Sequence, residues 1–335
     1  MSANWKQRPE GGGRFAIWLI RGIARHGGRT LGRVLLYPIT LYFLLVRGPE
    51  RRASRRYLAR ALGHPVGLWS VARHLHTFAA TILDRVFLLG GRFGGFDVRV
   101  TGLPELHAVL DRGQGVLLFG SHLGSFEVMR VLAQQRPDHK IRVVLDKTHN
   151  PAMTQMLDAL NPEIAAGVID ASQDGPSIAM AIKQATDEGA LVALLVDRAR
   201  PGEPALKVPF LGRDAPFPTA PWLIASALKV PVVLAFGLYR GGHRYHLAFE
   251  SFSDSIAVPR QQRAQAVLSL IERYAARLEH HARHAPYNWF NFYDFWGNED
   301  EGSPPSAFDA PRIVAIDHAD ADAAVQRRTA VRRGA

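Results

Sequence analysis

Residues 115–127 read GVLLFGSHLGSFE, an apolar run that leads into a glycine, a serine and a single histidine. Consecutive large apolar residues bounded by glycines are typical of a strand that is buried on both faces of a parallel sheet. The run predicts a strand over 115–120, after which Gly120 and Gly124 permit a sharp turn. His122 is therefore expected just beyond the carboxyl end of a buried strand, where open α/β sheets place their ligands.

On both sides of this strand, short apolar runs alternate with longer segments of helical periodicity. The alternation predicts an α/β fold with a mostly parallel central sheet flanked by helices. The expected strands are 96–101, 115–120, 141–146, 191–197, 206–210, 230–238 and 244–250. The expected helices are 68–90, 103–111, 124–135, 151–160, 175–188, 217–229 and 259–283.

Composition excludes several classes of protein. The 335 residues contain no cysteine, which rules out disulfides, zinc–thiolate sites, iron–sulfur clusters and a cysteine nucleophile. Residues 1–60 hold 13 Lys and Arg against two acids, and so account for the whole net charge of +11. Because the remainder is balanced, with 28 basic and 28 acidic residues, we expect no nucleic-acid partner.

The basic N-terminal segment also carries large apolar and aromatic residues. Its residues 34–46, VLLYPITLYFLLV, are 13 uncharged residues interrupted by Pro38, whereas a membrane-spanning helix needs about 20 residues. We therefore expect 1–60 to be a helical membrane-anchoring segment that lies in the bilayer interface or enters it, held by its arginines. The alternative is an amphipathic helix packed on the protein's own core, with its arginines solvated.

Three regions follow from these patterns. The membrane-anchoring segment is expected over 1–60 and the catalytic α/β domain over 61–297. A tail over 298–335, with Ser303, Pro304, Pro305 and repeated Ala, Asp and Arg, is expected to be disordered or loosely attached.

The chemistry is expected at His122 and Glu127, a His-x4-Glu pair. On one continuous helix two side chains five residues apart would point about 140° apart, so they meet only if the histidine lies on the preceding loop. A carboxylate on one imidazole nitrogen fixes the tautomer and makes the other nitrogen a better base. Since the pair includes no nucleophile, an acceptor hydroxyl or amine would attack an activated acyl group directly. The alternative is a loop histidine that is capped by a first-turn glutamate.

Several blocks in the same order resemble the bacterial lysophospholipid-type acyltransferases, specifically the late acyltransferases of lipid A biosynthesis. The resemblance covers about residues 15–297. Its blocks are the apolar N-terminus, His122 with Glu127, Asn150 with Pro151, a strand ending at Asp197, VPFLGRDAPFPTAP at 208–221, and APYNWFNFYDFW at 285–296.

The resemblance implies transfer of a fatty acyl chain from an acyl-carrier-protein or CoA thioester to a lipid or glycolipid acceptor. It places the enzyme at the cytoplasmic face of the bacterial inner membrane, in contact with membrane lipids. It implies that His122 is the general base, that Glu127 orients it, and that no metal or other cofactor takes part. Two alternatives stay open: a thioester hydrolase, and a non-catalytic protein that binds lipid or carrier protein on the same fold.

Further residues are expected to bind substrate or shape its groove. Lys147 is a candidate for a phosphate or for the donor's phosphopantetheine, with a solvated lysine as the alternative. Asp197 and Arg198, at a strand end, are candidates for acceptor binding or for framing the site, with a structural salt bridge as the alternative. The full set is Lys147, Asn150, Asp197, Arg198, Phe210, Gly212, Arg213 and Thr219.

Two departures from the family pattern bear on the acceptor. Lipid A enzymes commonly have an arginine four residues before the Asn-Pro pair, where this chain has Asp146, and a terminal His-Arg-Arg cluster, where it reads NFYDFW. Fewer basic groups suit a less anionic acceptor than lipid A. The ending WFNFYDFW resembles the acyltransferases found with aryl-polyene and related pigment lipids.

Overall fold

The computed structural model describes residues 28–129, 140–148, 151–200 and 202–297. The described helices are α1 Gly28–Val46, α2 Gly48–Leu62, α3 Leu68–Leu89, α4 Leu103–Leu110, α5 Pro151–Leu160, α6 Pro162–Ala166, α7 Gly175–Asp187, α8 Ala220–Leu228 and α9 Arg263–His284. The strands are β1 Asp97–Thr101, β2 Val116–Gly120, β3 Ile141–Leu145, β4 Val168–Asp170, β5 Leu191–Leu195, β6 Ala205–Phe210, β7 Arg213–Pro218, β8 Val232–Tyr239 and β9 Arg244–Ser253.

Seven strands form the main sheet in the order β1-β9-β8-β2-β5-β3-β4. Every neighbouring pair is parallel except β8 and β9, which are antiparallel. This confirms the predicted α/β fold with a mostly parallel sheet between helices. All five residues of β2 are buried, since β2 lies between β8 and β5 and has apolar packing on both of its faces.

Two strands escape the sequence prediction. Strand β4 has only three residues, too few for a periodic signal. Strand β7, RDAPFP, contains two prolines, and it pairs only with β6 in a separate two-stranded sheet. Proline is tolerated there because each strand of such a ribbon has a free edge.

The segment after β2 differs from the helix predicted over 124–135. Gly124 has a φ of +76°, and the first helical turn is a 3-10 turn at Glu127–Met129. The amide of Gly124 donates to the carbonyl of Asn288 and the amide of Ser125 to that of Gly237. These amides therefore bond to neighbouring segments instead of starting a helix, and residues 130–139 lie outside the described part of the chain.

The N-terminal helices pack onto the sheet domain. The buried residues of α1 are Gly32, Leu36 and Thr40. The guanidinium groups of Arg29 and Arg33 lie 2.7 and 2.9 Å from the buried carboxylate of Asp84 in α3. At least these two arginines therefore attach α1 to the domain and do not face solvent freely.

The predicted region boundaries stay predictions. The 60/61 boundary falls within α2, and residues 1–27 and the tail 298–335 lie outside the described residues. Within the described chain, α1 is long and apolar enough to cross a membrane by length and composition, with a mean hydropathy of 1.3. This helix fits the expected N-terminal membrane segment.

Candidate active site

The loop after β2 and the end of β5 bring a histidine and an aspartate together. Strands β2 and β5 are parallel neighbours, with Gly120 paired to Leu195, so the residues that follow them lie side by side. The Nδ1 atom of His122 is 2.8 Å from Oδ1 of Asp197, and the backbone amide of His122 donates to Oδ2 at 3.1 Å. One carboxylate therefore fixes both the ring and the backbone of His122.

Asp197 is buried, with no exposed surface. The indole Nε1 of Trp289 donates to its Oδ2 at 3.0 Å, and Nε of Arg198 lies 3.7 Å from the same oxygen. Burial alone would raise the pKa of Asp197, but His122, Arg198 and the Trp289 hydrogen bond hold it well below its ordinary value. The group is thus an ionised carboxylate at neutral pH.

The second ring nitrogen of His122, Nε2, has no hydrogen-bond partner among the described residues, and the side chain is 39% exposed. With Asp197 accepting from Nδ1–H, the lone pair of Nε2 is left to accept a proton. Burial and the charges of Arg198 and Arg85 lower the pKa of His122, although Asp197 opposes them. The ring is therefore neutral at neutral pH, as a general base requires.

The C-terminal aromatic block holds the His122 loop in place. The amide of Phe290 donates to the carbonyl of His122 at 3.0 Å. The side chain of Asn288 accepts from the amide of Tyr239 at 2.7 Å and thereby attaches this segment to β8. A Cβ on Gly124 would lie 1.9 Å from the carbonyl oxygen of Gly237, so only glycine allows the loop to approach β8 this closely.

A buried histidine lies behind Trp289. His74 in α3 bonds through Nε2 to the carbonyl of Trp289 at 3.0 Å and through Nδ1 to the hydroxyl of Ser54 in α2 at 2.8 Å. Burial lowers the pKa of His74 to about 3, so it is neutral. Through His74 and Ser54, helices α3 and α2 thus hold Trp289 in place, and Trp289 in turn donates to Asp197.

Glu127, which was expected to orient His122, has other partners. Its Oε1 lies 2.6 Å from Nε of Arg85, and its Oε2 accepts from the hydroxyl of Ser125 at 2.9 Å. No hydrogen bond or ion pair joins Glu127 to His122 in the part of the chain that the structure describes. Asp197, 75 residues after His122, takes the orienting place that the sequence spacing assigned to Glu127.

Two more of the expected binding residues lie at the carboxyl edge of the sheet. Arg198 donates to the carbonyl of Phe290 and lies over the ring of Tyr293 at 5.4 Å, so it braces the site. Lys147 follows β3, and its amide donates to Asp170 at 3.3 Å. Asn150 lies outside the described residues.

The other expected binding residues belong to the β6–β7 hairpin or to its exit. Phe210 is fully buried against the rings of Trp289 and Phe217, so it packs the core and does not line an open groove. Gly212, with a φ of +81°, closes the turn before Arg213. Thr219 donates to the carbonyl of Pro204 at 3.2 Å.

Sequence reasoning missed two residues of the site. Trp289 was noticed only as part of an aromatic block, and its hydrogen bond to Asp197 depends on the tertiary fold. Arg85 occurs in a helical segment that carries no motif. No group of three or more His, Asp or Glu side chains among the described residues is placed to hold a metal ion.

Comparison with known families fits this geometry. The sequence model described as bacterial lipid A biosynthesis acyltransferase matches residues 88–297, which include the nine described strands and the aromatic block. A search of curated protein sequences finds no match to the chain. The matched region covers well over half of the sequence, and the chain belongs to the bacterial lipid A biosynthesis acyltransferase family.

Proposed function

We propose that this acyltransferase moves a fatty acyl chain from an acyl-carrier-protein or CoA thioester to a hydroxyl, or an amine, of a lipid or glycolipid acceptor. Its family supports the class of enzyme, an acyltransferase of EC 2.3.1 type that acts on lipid. The observation that carries the mechanism is the 2.8 Å contact between His122 and Asp197, with Nε2 of His122 left without a partner in the described chain.

In the proposed reaction, Nε2 of His122 takes the proton of the acceptor hydroxyl as its oxygen attacks the thioester carbonyl. Asp197 stabilises the resulting imidazolium through Nδ1. When the carbon–sulfur bond breaks, the imidazolium returns its proton to the departing thiolate. A thioester is already activated, so the reaction needs no covalent enzyme intermediate.

The acceptor is proposed to be less anionic than lipid A. At the end of β3, where an arginine is common in lipid A enzymes, Asp146 lies 3.9 Å from Nη1 of Arg200. This pairing balances the positive charge there. The aromatic ending at 289–296 supports the narrower proposal of a pigment-lipid acceptor through sequence likeness.

Membrane attachment is proposed to use the outward face of α1. The exposed apolar residues of this helix lie opposite its buried ones, and they are Leu31, Val34, Tyr37, Leu41, Tyr42, Leu45 and Val46. Arg33 faces Asp84 and Thr40 faces His76, so α1 and α3 are antiparallel. From this register we infer that the end of α1 lies toward the start of α3, where the side chain of Trp69 is 82% exposed. Trp69 is therefore included in the proposed apolar face.

This apolar face suits the interface of an anionic bilayer, since exposed arginines of α2 follow it directly. We place the enzyme at the cytoplasmic face of the inner membrane. The Leu45→Ser/Trp69→Ser variant should lose flotation with phosphatidylethanolamine–phosphatidylglycerol vesicles. Met180→Ser removes an apolar group that is 66% exposed on α7 and should still float. Equal flotation of the double variant would contradict the placement.

A lipid comparison tests the proposed function. Cells lacking the protein, or carrying wild type, His122→Ala or Asp197→Asn at matched abundance, are compared by mass spectrometry. A species one acyl chain heavier is expected with wild type alone, and its mass identifies acceptor and chain. If His122→Ala restores that species equally well, the mechanism fails. If wild type releases free fatty acid and acylates nothing, the protein is a hydrolase.

A further inference from the structure

The carboxylate of Glu127 has both oxygens engaged away from the histidine. One faces Arg85 at 2.6 Å and the other accepts the Ser125 hydroxyl at 2.9 Å. The Glu127 side chain is only 8% exposed, and a buried carboxylate needs such partners. Glu127 can therefore affect the reaction only indirectly, either by holding Arg85 or by fixing the position of its own loop.

The guanidinium of Arg85 has more donors than the protein uses. Its Nε lies beside Glu127 without an aligned hydrogen bond, and its Nη1 faces the thioether sulfur of Met153 at 3.8 Å. A guanidinium has five N–H donors in a fixed fork. The side chain is 28% exposed, so donors remain for a group that arrives from outside.

Arg85 lies against the loop that carries His122, because its partner Glu127 follows that histidine by five residues. The positive charges of Arg85 and Arg198 both lower the pKa of His122. Arg198 donates to the carbonyl of Phe290, and its Nε lies 3.7 Å from Asp197. Within the described part of the site, Arg85 pairs with Glu127, and its guanidinium keeps donors for a further oxygen.

We propose that Arg85 binds an anionic oxygen of the substrate beside the reacting carbonyl, and that Glu127 is a positioning residue that holds Arg85 for this task. The inference rests on the proposed acyl transfer and adds a second site group to it. The oxygen is either the one that gains charge as the thioester carbonyl is attacked, or a fixed phosphate on the donor's pantetheine arm or the acceptor headgroup.

Both sources give a measurable signature. Removing a donor to a developing oxyanion lowers kcat by about 10²–10³-fold and leaves KM almost unchanged. Removing a cation from a fixed phosphate raises KM for the substrate that carries it, by about 10-fold or more. A cation that only joins α3 to the loop would change neither parameter per folded molecule.

The experiment uses the full chain in detergent or vesicles. Palmitoyl-CoA and palmitoyl-acyl-carrier-protein are the donors, and a total lipid extract of cells lacking the protein is the acceptor. Arg85→Gln, Arg85→Lys, Glu127→Gln and the Arg85→Gln/Glu127→Gln double variant are compared. Arg112→Gln is the control, since Arg112 forms an exposed ion pair with Asp254 at 2.7 Å. Folded fraction is matched by thermal unfolding.

We expect Arg85→Gln to lower kcat/KM at least 10-fold, with Arg85→Lys in between and Arg112→Gln unchanged. Glu127→Gln should lose less than Arg85→Gln, and the double variant should be no worse than Arg85→Gln alone, since both changes affect one unit. The acidic limb of the pH–rate profile should move to higher pH in Arg85→Gln, because its positive charge is removed.

Two results overturn the inference while the proposed function stands: an active wild type with Arg85→Gln within twofold of it, or a Glu127→Gln loss that persists in full in the Arg85→Gln background. A wild type with no transfer above the His122→Ala level overturns the proposed function itself, and the inference with it.

Discussion

The carboxyl edge of the sheet and the β6–β7 hairpin both carry family sequence blocks, yet the structure uses them differently. At the edge, Asp197 is a buried charge whose partners are His122, Trp289 and Arg198. In the hairpin, Phe210 is a buried ring among other rings. Burying a charge costs free energy unless it is paired. The buried Asp197 carboxylate therefore indicates a functional role, whereas the burial of Phe210 is explained by packing alone.

The difference shows that a residue's place in a family sequence block does not tell whether the residue takes part in the reaction or stabilises the fold. The hairpin residues expected to bind substrate close a turn, bond to a carbonyl or fill the core. At the edge, Trp289 and Arg198 lie against the carboxylate of Asp197, and that carboxylate contacts Nδ1 of His122. Substitutions at the carboxyl edge should therefore lower activity, and substitutions in the hairpin should lower stability.

The largest effect is expected at the edge. Asp197→Asn should lower the rate of acyl transfer by about 10²–10⁴-fold, because an amide neither fixes the ring nor stabilises the imidazolium. The rate is measured with saturating donor, and circular dichroism controls for folding. A loss below fivefold would remove Asp197 from the mechanism.

The matching change in the hairpin should affect stability. Phe210→Ala deletes a fully buried ring and should cost about 3–5 kcal/mol of unfolding free energy. Transfer per folded molecule should fall less than 10-fold. Denaturant unfolding and active-fraction titration separate the two. A variant that is as stable as wild type but inactive would contradict the distinction between the hairpin and the carboxyl edge.

Two glycines with positive φ refine the comparison. Alanine at Gly124 would place Cβ 1.9 Å from the carbonyl of Gly237, whereas at Gly212 nothing lies within 4 Å. Gly212→Ala should cost only the backbone penalty of about 1–2 kcal/mol and keep its activity. Gly124→Ala should cost more and displace the His122 loop. Thermal unfolding and transfer rates of the pair check this, and equal losses would count against it.

The smallest expected effect is on pH dependence. The base must be neutral, so activity should be lost as pH falls through the pKa of His122. Burial and the charge of Arg198 lower that pKa, so the midpoint should lie below the ordinary histidine value of about 6.5. Arg198→Gln should raise it. A wild-type midpoint above 7 in the rate profile would contradict the environment described.

Much of the fold was predictable because burial leaves local traces. The run 115–120 and its alternation with helical segments were enough to predict the parallel sheet and to place His122 beyond a strand end. Strand β7 was missed because its two prolines and two charged residues give no strand-like pattern in the sequence.

The site was less predictable, because its contacts cross the sheet. Strands β2 and β5 are neighbours only in the folded chain, so Asp197 could be placed at a strand end but not beside His122. Glu127 was favoured because it is near in sequence, and that proximity did not bring it to the ring. Arg85 comes from another helix, where no local pattern marks it.

The most direct test of the account is the tautomer and pKa of His122, followed by ¹⁵N NMR of histidine-labelled protein and assigned with His122→Ala. We predict a neutral ring protonated at Nδ1 in wild type and in Glu127→Gln. Asp197→Asn should abolish this preference and lower the pKa, because Asp197 raises it. A tautomer that survives in Asp197→Asn but is lost in Glu127→Gln would contradict the central claim that Asp197 orients the base.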